Sequence, residues 1–265
     1  MRPRDGVPLA LIRAWARALV PLLLALPAHA GALHLRWDRC LGDGGGVNRS
    51  FACDTNAGRQ ALVGSFVLAD SMRQVSGIEV VLDVVVAGNT LPAWWQFKND
   101  GACRQAALTW STDGPADAEH CADWGAGQAV GGLAGVRAGA FGPSSARITG
   151  VSAVAYPNLS DLDAGREYFA FVLTIANARS AGKGACEGCR LGACIGLGSI
   201  KLTTPVAAND RTLVPAAGDK DAMADRRATW QGGAGVVIPP GREKLDCSFS
   251  ARTSPSPLDR LLALY

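Results

Sequence analysis

Apolar and polar side chains alternate along two long segments of this chain, which is the pattern of half-buried β-strands. The first segment spans residues 77–88 and the second spans residues 167–177. One face of the first segment is wholly apolar and comprises Ile78, Val80, Leu82, Val84 and Val86. The same alternation in the second segment predicts an inner face of Phe169, Phe171, Leu173 and Ile175. Both segments are therefore expected to be strands with an apolar face against a core.

Weaker alternation recurs elsewhere in the chain, at residues 61–69, 147–156 and 195–203, with shorter candidates at 94–97 and 106–110. No amphipathic helical pattern separates these segments, so we expect antiparallel strands in sheets that pack face to face. The predicted fold class is all-β: an antiparallel β-sandwich of about 7–9 strands with a short C-terminal helix.

Two stretches depart from the alternating pattern. Residues 125–146 are rich in glycine and alanine and predict a long surface loop. At the end of the chain, Ser256 can cap a helix and Pro257 suits its first position. The apolar residues that follow fall on one helical stripe, namely Leu258, Leu261, Leu262 and Tyr265.

The start of the chain has the features of an export signal. Four arginines precede the apolar run 18–26, which is followed by Ala28-His29-Ala30, a small-x-small site for cleavage before Gly31. The first 30 residues hold four of the basic side chains and one of the acidic ones, which leaves 22 of each sign. This balance gives no reason to expect nucleic acid as a partner. No later stretch approaches the length of a transmembrane helix. We expect a secreted, periplasmic or cell-envelope protein.

The predicted organisation has four parts. Residues 1–30 are the signal peptide, and residues 31–57 form an N-terminal segment that contains two cysteines. Residues 58–205 form the sandwich core, and residues 206–265 form a C-terminal extension that Cys247 ties back to it.

Export to an oxidising compartment predicts disulfides for the even set of eight cysteines. They are Cys40, Cys53, Cys103, Cys121, Cys186, Cys189, Cys194 and Cys247. The sequence-local choice joins Cys40 to Cys53 and Cys103 to Cys121. The other four are expected to form one bond within the cluster at 186–194 and one from the cluster to Cys247. A zinc site of four thiolates and a dithiol redox site at Cys186 and Cys189 are the alternatives.

The tryptophans offer a candidate ligand-binding surface. If residues 92–97 form a strand, Trp94 and Trp95 face opposite sides, and Trp95 shares its face with Phe97. Trp94 is then the exposed indole, beside Gln96, and Trp124 is a second candidate. Such a surface stacks against sugar rings in many carbohydrate-binding sandwiches, whereas cover by a neighbouring loop is the structural alternative.

Candidate catalytic groups are few. Only His34 and His120 follow the signal peptide, and there is no nucleophile-elbow, phosphate-loop or zinc-protease motif. The turns that begin at Asp54 and Asp161 open like calcium loops but lack the acid at the twelfth position. We expect no catalytic residues, no metal and no cofactor.

The order of features is similar to that of uncharacterised secreted bacterial proteins rich in cysteine. The resemblance rests on the apolar strands, the cysteine cluster at 185–195, the segment Thr229-Trp230-Gln231-Gly232-Gly233 and the terminal helix. It implies one secreted β-sandwich module and assigns no functional residue. The leading hypothesis is a non-catalytic binding or structural module that recognises a protein or surface partner. A carbohydrate-binding module that uses the exposed tryptophan is the alternative, and an exported hydrolase comes third.

Overall fold

The alternating segments form strands in a computed structural model of the protein, which describes residues 31–214, 220–242, 245 and 247. The signal peptide and the C-terminal helix predicted above lie outside these residues. In chain order the strands are β1 (Ala32–Trp37), β2 (Asn48–Arg49), β3 (Arg59–Val67), β4 (Met72–Val75), β5 (Gly77–Val86), β6 (Leu108–Ser111), β7 (Ala122–Asp123), β8 (Val130–Ala138), β9 (Ser145–Ala153), β10 (Ser160–Leu162), β11 (Glu167–Ala176), β12 (Ala193–Thr203), β13 (Arg211–Leu213) and β14 (Arg227–Trp230). The described helices are α1 (Lys220–Asp225) and three 3₁₀ turns, Ala93–Trp95, Ala207–Asn209 and Gln231–Gly233.

Two main sheets face each other across one core. The first runs β1-β3-β11-β6, with β7 beside β11, and the second runs β2-β14-β12-β5-β9-β8, with β13 beside β12. Strands β4 and β10 form a small separate pair. Nearly all pairings are antiparallel, and the exceptions among the described strands are the two-residue β2 and β7. The prediction of an antiparallel, all-β sandwich is confirmed. Both β1 and β14 belong to the main sheets, so the sandwich also uses residues outside 58–205.

Strand β5 lies in the interior of the second sheet and buries the apolar face that its alternating pattern predicts. Its five predicted core side chains are at most 1% exposed. Two residues of its other face, Asp83 and Val85, are also buried. The C-terminal segment covers them, because Leu245 and Cys247 pack against Val85 and Cys194.

Strand β11 departs from simple alternation at one residue. Its pairing with β3 skips Ala170, which forms a β-bulge. Phe169 therefore turns to the outer face, where it packs with Val63 and the two sulfurs of Cys40 and Cys121. The assignment of Phe169 to the inner face was wrong, because one inserted residue reverses the sides of all residues on one flank of it.

A pair of stacked rings on the first sheet packs against the second sheet. Phe171 on β11 stacks on Trp110 of β6, with ring centroids 4.3 Å apart. A Cβ atom at Gly64 of β3 would overlap the ring of Phe171, and one at Gly150 of β9 would overlap the indole of Trp110. Gly64 thus makes room for a ring within the first sheet, whereas Gly150 of the second sheet makes room for a ring of the first.

The glycine-rich stretch 125–146 is not a loop throughout. It contains β8 and the start of β9, so the loop prediction was wrong for that part. Strand β8 is the edge of its sheet, and most of its residues are exposed or half-buried. An edge strand of this kind buries little, so its sequence needs few large apolar residues and gives a weak strand signal.

Four disulfides join all eight cysteines, which confirms that the cysteines are structural. The bonds are Cys40–Cys121, Cys53–Cys189, Cys103–Cys186 and Cys194–Cys247. Both sequence-local pairs and the bond within the cluster at 186–194 were wrong, whereas the bond from that cluster to Cys247 is present. No cysteine is left free for zinc or for a dithiol site.

We predict that Gly150→Ala lowers the free energy of unfolding by about 1–3 kcal/mol, because the added methyl group must displace the indole of Trp110. Chemical denaturation of the oxidised protein measures the loss. The matched control is Gly132→Ala on β8, where an added Cβ meets no atom within 4 Å. Equal stability of the two variants would contradict the close packing between the sheets.

Mass mapping of the non-reduced protein, with a digestion that also cuts after Glu187 between Cys186 and Cys189, is expected to recover four cross-linked peptide pairs. The separations along the chain are 81, 136, 83 and 53 residues, so none of the links is local. Recovery of a Cys40–Cys53 or a Cys103–Cys121 peptide would show that the described connectivity is incorrect.

Candidate functional site

The predicted tryptophan surface is not exposed. Trp94 is 0% exposed and Trp124 is 2% exposed. Gln96 is half-buried, and its side-chain amide donates to the carbonyl oxygen of Leu91 at 2.8 Å. The exposed stacking platform was therefore wrong for all three residues. The cause is local: residues 93–95 form a 3₁₀ turn, in which neighbouring side chains do not point to opposite sides.

Trp94 instead belongs to a cluster of four buried indoles, which is called the tryptophan cluster below and comprises Trp37, Trp94, Trp95 and Trp230. Trp230 is its centre, with ring centroids 4.9 Å from Trp94, 5.9 Å from Trp95 and 6.0 Å from Trp37. These tilted and edge-on arrangements are favourable for aromatic pairs. Three of the indole N–H groups donate to partners, those of Trp37, Trp94 and Trp230.

The loop with the cysteine cluster closes over these indoles. Trp230 donates its indole N–H to the carbonyl oxygen of Cys189 at 2.7 Å, and the backbone N–H of Trp94 donates to the carbonyl oxygen of Glu187 at 2.8 Å. Gly188 has a φ of 103°, and a Cβ there would overlap the ring of Pro92. Only glycine combines this conformation with so close an approach. The bonds of Cys186 to Cys103 and of Cys189 to Cys53 fasten both sides of this turn.

Arg104, next to Cys103, is a buried cation at the edge of the tryptophan cluster. It is 3% exposed, and its guanidinium lies 3.7 Å from the ring centroid of Trp94. It donates to the carbonyl oxygens of Trp94, at 3.1 Å, and of Ala176. Its Nε has no hydrogen-bond partner. Burial lowers the pKa of Arg104 to about 9, which still leaves it charged at neutral pH.

A cavity of about 320 Å³ adjoins Arg104. Its lining comes from the segment around the Cys103–Cys186 bond and from the end of β11, and consists of Ala102, Cys103, Arg104, Gln105, Ala106, Ala107, Ala176, Ala178 and Arg179. Five of these side chains are methyl groups, so the space exists because the lining residues are small. Its size is within the range of small-ligand sites.

Nothing in the sequence pattern singled out Arg104 or Arg179. The only available signal was position: Arg104 follows a cysteine, and Arg179 precedes the cysteine cluster by a few residues. A pairing of Cys103 with Cys186 brings those two segments together, but that pairing was not among the expected ones.

The hydrolase hypothesis required either two carboxylates, or His34 or His120 with a serine, in one cleft. His34 on β1 and Ser65 on β3 are cross-strand partners, and Ser65 contacts Glu167. However, the hydroxyl of Ser65 donates to Glu167 rather than to the imidazole, and Ser65 is 1% exposed. Glu167 also accepts from the backbone N–H groups of Leu41 at 3.1 Å and Gly42 at 2.8 Å. This carboxylate fastens the loop after β1, and Ser65 is not presented to a substrate.

His34 lies in a charged setting on the outer face of β1. Burial lowers its pKa, while Glu167 and Asp225 act in the opposite direction and Arg36 adds to the lowering. Arg36 bonds to Asp225 at the end of α1. His120, the other candidate, is exposed and contacts Asp43 at 2.9 Å. The imidazole of His120 thus contacts a carboxylate and not a serine.

Among the described residues, one cluster brings three potential metal-ligating side chains together, but it does not offer the ligands that a metal needs. The sulfurs of Cys40 and Cys121 lie within 4.8 Å of a carboxylate oxygen of Glu167, but both sulfurs are in one disulfide and offer no thiolate. In the turn at 161–165, Asp161 accepts from Gln74 N at 3.0 Å and from Arg73 at 3.1 Å. These bonds lower the pKa of Asp161 and satisfy the carboxylate within the protein.

Comparison of the chain with protein-family models, with curated proteins and with solved structures finds no match. Among the described helices, none is long and apolar enough to cross a membrane. The four disulfides indicate an oxidising compartment, extracellular or periplasmic.

We predict that the protein loses stability as the pH falls below about 6.5, and that His34→Gln reduces this loss. The unfolded imidazole has a pKa of about 6.5, whereas burial lowers it in the folded protein. The unfolded state therefore binds the proton more readily, and stability is lost between the two pKa values. Free energies of unfolding between pH 8 and pH 5 measure the slope. An equal decline in the two proteins would contradict the assignment to His34.

Proposed function

We propose that this protein is an exported, non-catalytic binding module of the cell envelope or extracellular space, released by cleavage between Ala30 and Gly31. The export features of residues 1–30 and the oxidised state of all eight cysteines support this location. The balanced charge that remains after residue 30 supports a specific surface ligand rather than nucleic acid.

The observation that carries the proposal is the cavity beside Arg104. Its walls are held in place before any ligand arrives, because Cys103 is bonded to Cys186 and Arg104 bonds to two backbone carbonyl oxygens. A cavity that is already formed binds without the cost of ordering its own walls. Ser65, the cross-strand partner of His34, is instead buried and bonded to Glu167. These two observations thus favour ligand binding over acyl transfer as the function.

The ligand site in this proposal differs from the tryptophan surface. The indoles stabilise the end of the sandwich from within, and Trp94 takes part only as the surface on which Arg104 lies. The ligand enters the space lined by methyl groups and the two arginines. A ligand can therefore enter the cavity without displacing any indole, because no tryptophan lines it.

We predict that Ala178→Trp abolishes ligand binding, since this exposed alanine lines the cavity and the larger side chain fills it. The measurement is a glycan array and an envelope-binding assay with residues 31–265, followed by titration of each hit. Ala155→Trp is the matched control, because Ala155 is also exposed but does not line the cavity. A ligand bound equally by both variants would place the binding site elsewhere on the protein.

A further inference from the structure

The cavity beside Arg104 has an excess of positive charge. Arg104 and Arg179 both line it, and its lining contains no carboxylate. Among the described residues, neither arginine lies within 4.0 Å of a carboxylate oxygen, the distance of an ion pair. The acid nearest in the chain to Arg104 is Asp100, whose carboxylate accepts from the side chain of Gln105 at 3.1 Å. It forms no ion pair with either arginine.

The two arginines differ in how they can meet a ligand. Arg104 is fixed by its carbonyl partners and by the ring of Trp94, so it provides a stationary positive charge. Its free Nε donor is buried, in surroundings where little water is available to screen the charge. Arg179 is exposed, and its guanidinium forms no ion pair with any other residue that the structure describes, so it can bond an oxyanion through two parallel N–H groups.

The remaining lining narrows the class of ligand. Five alanines offer methyl groups rather than hydrogen-bonding side chains, so the cavity favours a small body with its charged group held at the arginines. A volume of about 320 Å³ accommodates a ligand of the size of one sugar ring and not a folded partner.

We propose that this cavity binds the oxyanion group of a small ligand, a carboxylate or a sulfate, between Arg104 and Arg179. This inference rests on the proposed function, because it names the ligand chemistry of the same site. Arg179 forms the direct charged hydrogen bonds, and Arg104 supplies the fixed charge behind them. A surface glycan that carries acidic groups is the source that fits an exported binding module.

The test compares glucuronate with glucose. The two share the same ring, and glucuronate has a carboxylate where glucose has a hydroxymethyl group. Sulfate is the second oxyanion probe, and it separates a general oxyanion site from one that needs a carboxylate. Ligand-observed NMR titrations of oxidised residues 31–265 give the dissociation constants. We expect glucuronate or sulfate to bind, glucose to bind at least about tenfold more weakly, and Arg179→Gln to weaken the oxyanion by about tenfold or more.

Two further variants make the result specific. Arg137→Gln removes an exposed arginine of β8 that does not line the cavity, and it is expected to keep the wild-type affinity. Arg179→Lys keeps the charge without the planar fork and is expected to fall between wild type and Arg179→Gln. Arg137 and Arg179 are both exposed, so we expect these substitutions to leave the folding of the protein unchanged.

Failure of the inference and failure of the proposed function give different results. If neither oxyanion binds the wild-type protein, or if Arg179→Gln and Arg137→Gln bind equally, the oxyanion site is wrong. If a neutral ligand is then blocked by Ala178→Trp but not by Arg179→Gln, the cavity still binds and only the ligand class is overturned. A ligand insensitive to Ala178→Trp overturns both.

Discussion

Closure of the tryptophan cluster is the constraint on which this end of the sandwich depends. Three large indoles surround Trp230, and the turn that follows Ala185 closes over them. The turn at Cys186–Cys189 provides that cover, but it is short and rich in polar and glycine residues, with little apolar surface to hold it in place. Two disulfides replace the missing hydrophobic contact by confining the turn in every state of the chain.

The fold could be predicted from the sequence where a strand has an uninterrupted alternating pattern and each of its faces has a single kind of surroundings along its length. The alternation of β5 sufficed because both of its neighbours are long strands and its core face meets only apolar partners. Strand β1 shows the same alternation at Leu33, Leu35 and Trp37, in a segment for which no strand was predicted. The bulge at Ala170 was not predictable, since no property of alanine marks an unpaired position.

The site was not predictable because it depends on contacts between distant segments. Trp94 and Trp95 are adjacent in the chain, and both side chains are buried in the core. Their burial depends on contacts with Trp230, which is distant in the sequence. The choice of disulfide partners was likewise decided by which loops meet at the same end of the sandwich, with separations of 53 to 136 residues. Arg104 became recognisable only once Cys103 was joined to Cys186, because that bond places its guanidinium beside the cavity.

The position of the Cys103–Cys186 bond has a consequence for when the cavity can form. One of its sulfurs belongs to the wall of the cavity, and its other half belongs to the turn that covers the indoles. A newly made chain in a reducing cytoplasm lacks this bond, so neither the wall nor the cover is fixed there. In the proposed function, oxidation after export is therefore the step that assembles the cavity itself, and the compartment separates a precursor without the cavity from the protein that has it.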